Sequence, residues 1–402
     1  VELKQVNPGG WKMACTWAAA WVAICLALLS ATGARADGFD ELASWVRQND
    51  GRIDRRLEVR ADENGLRGVF AKAMIQDKTE VMVLPWSLVI GNSSWANPIS
   101  DLCGLVSEYQ AILERGDDEN NFHQPYASME AKDIFRHPAL WTEETRMELQ
   151  GLPPQDTSRH VDWFLSTCEK GPATSIRDLP LARQRAFIVL ISRASDRGLI
   201  PGYDLLNHHN GLLNVRIETR KANIALVTVK KVHAGEQLYL SYGSGWSHEI
   251  FRDYGFVEEW PQLWGWPVSP FEPDFGNNKF LVLPGEVVEL LPPKERTISS
   301  LPLEQRIEHA KQWTAGLLRE DCMKFKKSAE NLLASLPTTA DEDEIIIQEM
   351  TAKQDALDNE GLDVVDAVRY RLAFKRAVQL ALKTAQAKLE NDGGTTLSRD
   401  EL

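Results

Sequence analysis

Apolar and polar residues change their spacing several times along the chain, and each change predicts a different kind of element. The first helix-like stretch carries apolar residues on one face: Phe39, Leu42, Ala43 and Val46. From residue 57 the spacing becomes that of strands, with alternation at 57–59 and apolar runs at 68–71 and 80–85. Pro85 closes the last of these runs. This region is predicted to be compact and β-rich.

The pattern from residue 99 to 189 is helical, with apolar residues at three- and four-residue intervals and breaks at Pro and Gly clusters. Strand character returns at 213–217 and 223–229. After about residue 267 a stretch rich in Pro and Gly leads to helical patterns at 306–336 and 364–389. The middle segment is therefore predicted to be a helical insertion in a β-rich core, and the C-terminal half to be helical.

The predicted fold class is α+β, with a β-rich core, a helical insertion and an all-α C-terminal domain. The predicted segments are 13–36, a signal peptide; 37–98, an N-terminal helix and the first half of the core; 99–189, the insertion; 190–266, the second half of the core; 267–390, the helical domain; and 391–402, a polar tail. A chain of 402 residues is long enough for two or three such domains.

Composition narrows the function classes. The chain is 43% hydrophobic and 26% charged with a formal net charge of −13, which argues against a nucleic-acid binder. An acidic balance suits a basic partner, but it is also ordinary for a soluble protein. No two of the five cysteines have metal-ligand spacing, so we expect no zinc site and no other metal.

Each end of the chain resembles a targeting signal. A short apolar run, Ala18–Leu29, is followed by Ala34-Arg35-Ala36, which is typical of a cleaved signal peptide; a buried N-terminal helix is the alternative. The chain finishes on Arg399-Asp400-Glu401-Leu402, close to the K-D-E-L retrieval signal. Together they predict residence in the endoplasmic reticulum lumen with no membrane span after cleavage. Secretion, or plastid targeting through the secretory route, is the alternative.

That location has two consequences. Removal of the signal peptide would leave Cys103, Cys168 and Cys322, enough for at most one internal disulfide, whose pairing the sequence leaves open. Asn92 in Asn92-Ser93-Ser94 would become a possible glycosylation acceptor.

Two short segments carry the strongest chemical signal. They are Gly202-Tyr203-Asp204-Leu205-Leu206-Asn207-His208 and Gly235-Glu236-Gln237-Leu238-Tyr239-Leu240-Ser241-Tyr242-Gly243. In this order they resemble the C-terminal half of a SET domain. The resemblance implies transfer of a methyl group from S-adenosylmethionine to a protein side-chain nitrogen.

Further motifs place the resemblance in the branch of the Rubisco large-subunit lysine methyltransferases, whose relatives include an actin histidine methyltransferase. The matching segments are 65–71, 125–126, 140–144, 148–151, 192–195, 254–256, 336–339 and 369–371. They cover the chain from about residue 37 to 389. Three positions depart from the branch pattern: Leu66 stands where a glycine is usual, Ser247 where asparagine is frequent, and His209 where a small residue follows Asn-His.

The resemblance assigns roles to eleven residues. It implies that Tyr242 is the catalytic residue and that Ser192, Asp204 and Tyr254 line the substrate pocket. It implies a cofactor site formed by Gly65, Leu66, Arg67, Arg193, Asp204, Asn207, His208, Tyr254 and Phe256. Arg193 is the candidate partner for the cofactor carboxylate, since a guanidinium binds a carboxylate through two hydrogen bonds. Without the resemblance, most of these positions would be ordinary turn, packing or surface residues.

The sequence therefore favours a protein-lysine methyltransferase that uses S-adenosylmethionine and acts on a protein partner. Two alternatives stay open. The acceptor could be a histidine, or the chain could be a non-catalytic peptide-binding protein with the same fold. The oligomeric state is left open.

Overall fold

The computed structural model describes residues 37–62, 66–91, 100–129, 136–153, 157–169, 171, 175–243, 246–266, 278–291, 303–353 and 357–392. Both targeting signals, Asn92 and Gly65 lie outside the described residues. Within those ranges no helix is both long and apolar enough to cross a membrane.

The core begins with a helix and four strands: α1 (Asp37–Gln48), β1 (Arg52–Ile53), β2 (Leu57–Ala61), β3 (Arg67–Ala71) and β4 (Glu80–Pro85). Later in the chain come β5 (Asn207–His208), β6 (Val215–Thr219), β7 (Asn223–Thr228) and β8 (Tyr239–Leu240). One sheet has the order β1–β4–β7–β6, and β2 pairs with β3 in a separate hairpin. Strand β7 is buried along nearly its whole length, which explains its continuous apolar run.

Two segments distant in sequence meet at the short parallel pair of β5 and β8. The residues just before β8 also run along β3, where the Leu238 amide donates to the Val69 carbonyl at 2.8 Å and the Ala71 amide donates to the Glu236 carbonyl at 2.9 Å. The chain around β8 is therefore held between β3 and β5. This arrangement brings the two motif segments together, as the sequence resemblance implies.

The predicted insertion is helical. It contains α2 (Leu102–Arg115), α3 (Gln124–Ala127), α4 (Glu143–Met147), α5 (Arg159–Cys168) and α6 (Leu181–Arg193). A disulfide joins Cys103 at the start of α2 to Cys168 at the end of α5. Beside it, Arg183 of α6 pairs with Glu169 at 2.8 Å and donates to the Ser107 hydroxyl at 2.9 Å. The disulfide and this arginine hold α2 and α5 against α6.

The C-terminal half starts with α7 (Ser247–Tyr254) and the strands β9 (Gln262–Gly265), β10 (Lys279–Leu283) and β11 (Val287–Leu291). The helices α8 (Leu303–Gly316), α9 (Arg319–Ser335), α10 (Ala340–Thr351) and α11 (Asn359–Asp392) follow. Large aromatic rings, including Trp264, Tyr370 and Phe374, fill the core of this half.

The mixed fold class is confirmed, but two details of the C-terminal half differ from the sequence prediction. In the three-stranded antiparallel sheet β11–β10–β9, strands β10 and β11 lie in the segment 267–390, where helices alone were expected. Every residue of β10 is buried, so its sequence shows no alternation that would have marked a strand. The helical pattern predicted at 306–336 falls on two helices, because α8 ends at Gly316 and Leu318 has an extended backbone.

A buried charge cluster joins the last two helices. Asp343 of α10 is fully buried and pairs with Arg371 and Lys375 of α11, each at 2.7 Å. The Thr338 hydroxyl donates to the same carboxylate at 2.7 Å. These hydrogen bonds hold the pKa of Asp343 below its usual range even though burial alone would raise it.

Candidate active site

A cavity of about 530 Å³ lies where β3, α6, the 203–208 segment, the 241–243 turn and α7 meet, with α11 along one side. Nine of the eleven predicted site residues line it: Leu66, Arg67, Ser192, Arg193, Asp204, Asn207, Tyr242, Tyr254 and Phe256. The two that do not are Gly65, which lies outside the described residues, and His208, which lies behind the wall. Motifs spread over nearly two hundred residues thus surround one space.

Tyr242 is fixed at both its backbone and its hydroxyl. Its amide donates to His208 Nδ1 at 2.9 Å, and its hydroxyl donates to the Leu206 carbonyl at 2.6 Å. Burial raises the pKa of Tyr242 well above its usual value. The hydroxyl therefore stays protonated, and its ring is held at the cavity by the same segment that carries Asp204 and Asn207.

Two more aromatic rings form the wall beside Tyr242. The ring of Tyr254 lies 4.8 Å from that of Tyr242 and the ring of Phe256 lies 6.4 Å from it, measured between centroids. Burial, with a smaller contribution from the Asp253 carboxylate, raises the pKa of Tyr254 to about 12. Electron-rich ring faces of this kind attract a cation through their quadrupoles.

Arg193 and Asp204 bind each other in the cavity wall. Arg193 Nη1 donates to Asp204 Oδ2 at 2.8 Å, and the Tyr126 hydroxyl donates to the same oxygen at 3.1 Å. The Asp204 carboxylate keeps the pKa of Arg193 above its usual value against the opposing effect of burial. The other oxygen, Asp204 Oδ1, is buried and has no hydrogen-bond partner among the described residues. A buried acceptor without a donor is costly, so this atom suits a donor on a bound molecule.

The hydroxyl of Ser192 is used within its own helix, where it donates to the Ile188 carbonyl at 2.6 Å. Its role as a substrate contact through the hydroxyl stays a prediction. Asn207 fastens two motif segments together, because its side-chain amide donates to the Arg67 carbonyl at 2.9 Å.

Gly68 lies at the same junction, where the segments approach closely. A Cβ atom at this position would lie 2.1 Å from Gln237 Nε2 and 3.0 Å from Asn207 Nδ2. A side chain at this position would displace the Gln237 side chain, so glycine lets the three segments approach closely without that shift. The glycine missing at Leu66 is thus accompanied by a glycine at a crowded position two residues later.

The sequence did not predict the residues that α11 and the middle of the insertion contribute to the cavity. These are Arg136, His137, Asp366 and Arg369. Arg136 forms an ion pair with Asp366 and lies 3.7 Å from Asp363, so it joins the insertion to α11. Nothing in the spacing of these residues signals their meeting, because the contact joins positions more than two hundred residues apart.

Asp363 gives this contact a pH dependence. Its burial raises its pKa to about 7, and the nearby Arg136 only partly opposes this. The pKa of an aspartate in the unfolded chain is near 4. The free energy of unfolding therefore falls progressively as the pH rises from about 4 to about 7. We expect the free energy of unfolding of Asp363→Asn, relative to that of the parent chain, to increase as the pH rises from about 4 to about 7. Above about pH 7 the difference between the two proteins should be constant. Urea unfolding between pH 4 and 8 measures this difference.

The exposed Glu349→Gln on α10 serves as the control and should track the parent at every pH. A stability difference for Asp363→Asn that stays the same from pH 4 to pH 8 would show that Asp363 does not titrate in this window.

No family model matches the chain. It is 22% identical to actin-histidine N-methyltransferase from Canis lupus familiaris over 260 residues, covering 56% of this chain and 43% of that protein. The human protein of the same name gives the same identity and coverage. A shorter match, 38% identical over 66 residues, covers 16% of this chain and 14% of N-lysine methyltransferase setd6 from Xenopus laevis. The chain thus spans less than half the length of the curated relatives it matches.

Two solved structures are similar along most of both chains. The SET domain of LSMT bound to lysine and AdoHcy has a TM-score of 0.53 and 17% identity, over 92% of this chain and 98% of that one. Rubisco LSMT bound to AdoMet has a TM-score of 0.52 and 19% identity, over 88% and 92%. The predicted resemblance is confirmed at the level of fold: this chain has the SET-domain fold of the Rubisco LSMT structures.

Proposed function

We propose that this protein is an S-adenosylmethionine-dependent methyltransferase that methylates a lysine side chain of a protein partner. The observation that carries the proposal is the convergence of nine predicted site residues, including the partly buried Tyr242, on one cavity. The relatives and structural neighbours support it through their names: methyltransferases of protein histidine and lysine, and structures holding AdoMet, AdoHcy and lysine.

The residues of the cavity fit S-adenosylmethionine in three ways. A volume of about 530 Å³ lies within the usual range for small-molecule sites. The buried Asp204 Oδ1 lacks a donor, and an amino group or a substrate nitrogen would supply one. The tyrosine rings of Tyr242 and Tyr254 suit a positively charged centre. Arg193 is a candidate for the cofactor carboxylate, although in this structure it pairs with Asp204.

Bound S-adenosylmethionine would supply a methyl group on a sulfonium, a good leaving group for in-line displacement. The chain's own task is to admit a neutral nitrogen, align it and exclude water. A lysine ammonium must first lose its proton, and transfer into a buried site lowers its pKa. The Tyr242 hydroxyl, held by the Leu206 carbonyl, keeps its ring and oxygen in place beside the acceptor.

Histidine is the second candidate acceptor, favoured by the similarity to actin-histidine methyltransferases along more than half of the chain. A peptide-binding protein without catalysis is the third reading, which the departures at Leu66 and Ser247 motivate. Binding of S-adenosylmethionine separates the enzymes from the binding protein, and mass spectrometry of the methylated residue separates lysine from histidine. The net charge of −13 suits a basic protein segment as the partner.

The cofactor site predicts the result of an alanine substitution at Asn207. Asn207→Ala removes the amide that joins β5 to the start of β3, so we expect its affinity for S-adenosylmethionine to fall by about tenfold or more. Isothermal titration calorimetry of the full chain measures the change. Asn223→Ala, at the start of β7 and away from the cavity lining, is the control and should bind as the parent does. Lack of binding by the parent would instead favour the peptide-binding reading.

We also propose that the protein acts in the endoplasmic reticulum lumen. The disulfide between Cys103 and Cys168 supports an oxidising compartment, because such bonds are rare in proteins of the cytosol. Deletion of Arg399–Leu402 should release the protein into the medium. Protein that stays in the cytosol with or without this tail would contradict the proposed location.

A further inference from the structure

A buried glutamate lies behind the wall of the candidate active site. Glu258 follows α7 and is 6% exposed. Its Oε1 accepts a hydrogen bond from the side-chain amide of Asn210 at 3.4 Å. Its other oxygen, Oε2, has no hydrogen-bond partner among the described residues and lies 3.9 Å from Nε2 of the buried His208. A buried carboxylate at this place needs an explanation, since desolvation of an unpaired charge is costly.

The hydrogen bonds of His208 determine where its ring proton sits. The Tyr242 backbone amide can only donate, and it points at His208 Nδ1 from 2.9 Å. Nδ1 must therefore keep its lone pair, so the proton of the neutral ring is on Nε2. A ring protonated on both nitrogens would set an N–H against the Tyr242 amide and break this contact.

The Nε2–H group needs an acceptor, and Asn210 is not one. The Asn210 amide nitrogen donates to the Gly243 carbonyl and to Glu258 Oε1 and lies 3.3 Å from His208 Nε2, while the Asn210 oxygen accepts from the Ser241 hydroxyl at 2.7 Å. Turning the amide over would place its oxygen against two other oxygens. Among the described residues, the remaining acceptor near Nε2 is Glu258 Oε2 at 3.9 Å, which has no hydrogen-bond donor there.

We propose that Glu258 is a positioning residue for methyl transfer, which holds His208 in the Nε2–H tautomer and thereby fixes the backbone at Tyr242. The proposal rests on the proposed function, because it assigns Tyr242 to the reaction. The same carboxylate also anchors Asn210, which binds Ser241 and Gly243 on either side of Tyr242. Glu258 thus supports the turn that presents the tyrosine through two neighbouring side chains.

The chain provides a matched control pair, His209 and Glu259, each one residue after its counterpart His208 or Glu258. His209 Nε2 lies 3.6 Å from Glu259 Oε2, so the sequence places a second histidine–glutamate pair directly beside the first. Glu259 has 75% of its side chain exposed, whereas Glu258 has 5%. A solvent-exposed ion pair contributes little to stability, so we expect little effect from the loss of the Glu259 carboxylate. The two glutamates differ chiefly in burial and in their link to Tyr242.

The test compares Glu258→Ala, Glu258→Gln and Glu259→Gln in the full chain. We expect Glu258→Ala to lower kcat by about 10- to 100-fold with KM for the protein substrate changed less than threefold, because misplacing a reacting group acts on turnover. Glu258→Gln keeps the shape of the side chain and one acceptor oxygen, so its kcat should fall less than that of Glu258→Ala. It also serves as the control for misfolding of the alanine variant. Glu259→Gln should turn over as the parent does.

The second readout is the ¹⁵N spectrum of the His208 ring, which reports its tautomer without catalysis. The parent and Glu259→Gln should show the Nε2–H form, and Glu258→Ala a mixture. Turnover within twofold of the parent in Glu258→Ala would overturn the proposal, as would a loss of turnover with the tautomer unchanged. If the parent itself transfers no methyl group, the proposed function fails, whereas the tautomer still decides whether Glu258 holds His208.

Discussion

Replacement of Tyr242 by phenylalanine is expected to lower the rate of methyl transfer by about 100-fold or more while affinity for S-adenosylmethionine stays within a few-fold. The change removes one oxygen that lines the cavity and is held by the Leu206 carbonyl. Loss of a single preorganised hydrogen-bonding group at a reaction centre costs about 10²- to 10³-fold in turnover. The ring, its contacts with Tyr254 and the backbone bond to His208 all remain, so the binding site should keep its shape.

The control for this substitution is Tyr239→Phe in β8. Its hydroxyl also makes one hydrogen bond, to Gln237 Oε1 at 2.9 Å, but Tyr239 does not line the cavity. Both variants lose one partly buried hydrogen bond, worth about 1 kcal/mol of stability. Equal activity of Tyr242→Phe and Tyr239→Phe would remove the Tyr242 hydroxyl from the mechanism. Rates are to be measured with saturating cofactor, so that turnover and binding are separated.

Loss of the disulfide is expected to lower the free energy of unfolding by about 4 kcal/mol. The bond between Cys103 and Cys168 closes a loop of 65 residues, and cross-linking a loop of that length restricts the unfolded chain by about this amount. The loop contains Tyr126, which donates to Asp204, and Arg136, which reaches α11. We therefore expect the double variant Cys103→Ser/Cys168→Ser to bind the cofactor at low temperature. On heating, it should lose binding at a lower temperature than the parent does.

Chemical denaturation of the double variant with and without reductant provides the control. Reductant should bring the parent to the stability of the variant and leave the variant unchanged. Thiol titration confirms that reduction of the parent is complete. If the free energy of unfolding of the fully reduced parent is unchanged, the disulfide does not stabilise the fold.

Much of the cavity could be predicted from the sequence because its residues lie in short segments whose order is shared with SET domains. The β5–β8 pairing and the side chains of Asn207 and His208 hold the two motif segments together, and these side chains belong to the shared motif itself. Binding of a cofactor carboxylate by Arg193 stays a prediction; in the structure the guanidinium of Arg193 pairs with Asp204.

Other features depend on contacts that no local pattern encodes. Arg136 meets Asp363 and Asp366 across more than two hundred residues, and Glu258 faces His208 across fifty. The pairing of Cys103 with Cys168 depends on the packing of α2 against α5 and α6, so cysteine number alone left it open. Strand β10 was missed for a different reason: burial on both faces removes the alternation by which a strand is recognised.

Transfer of a labelled methyl group tests most directly whether the residues of this cavity methylate a protein. The full chain is incubated with S-adenosylmethionine labelled in the methyl group and an extract of secretory-pathway proteins, and labelled residues are identified by mass spectrometry. We predict label on lysine side chains with the parent protein and at least about 100-fold less with Tyr242→Phe. Label on no protein with the parent, or equal label with both chains, would contradict the account.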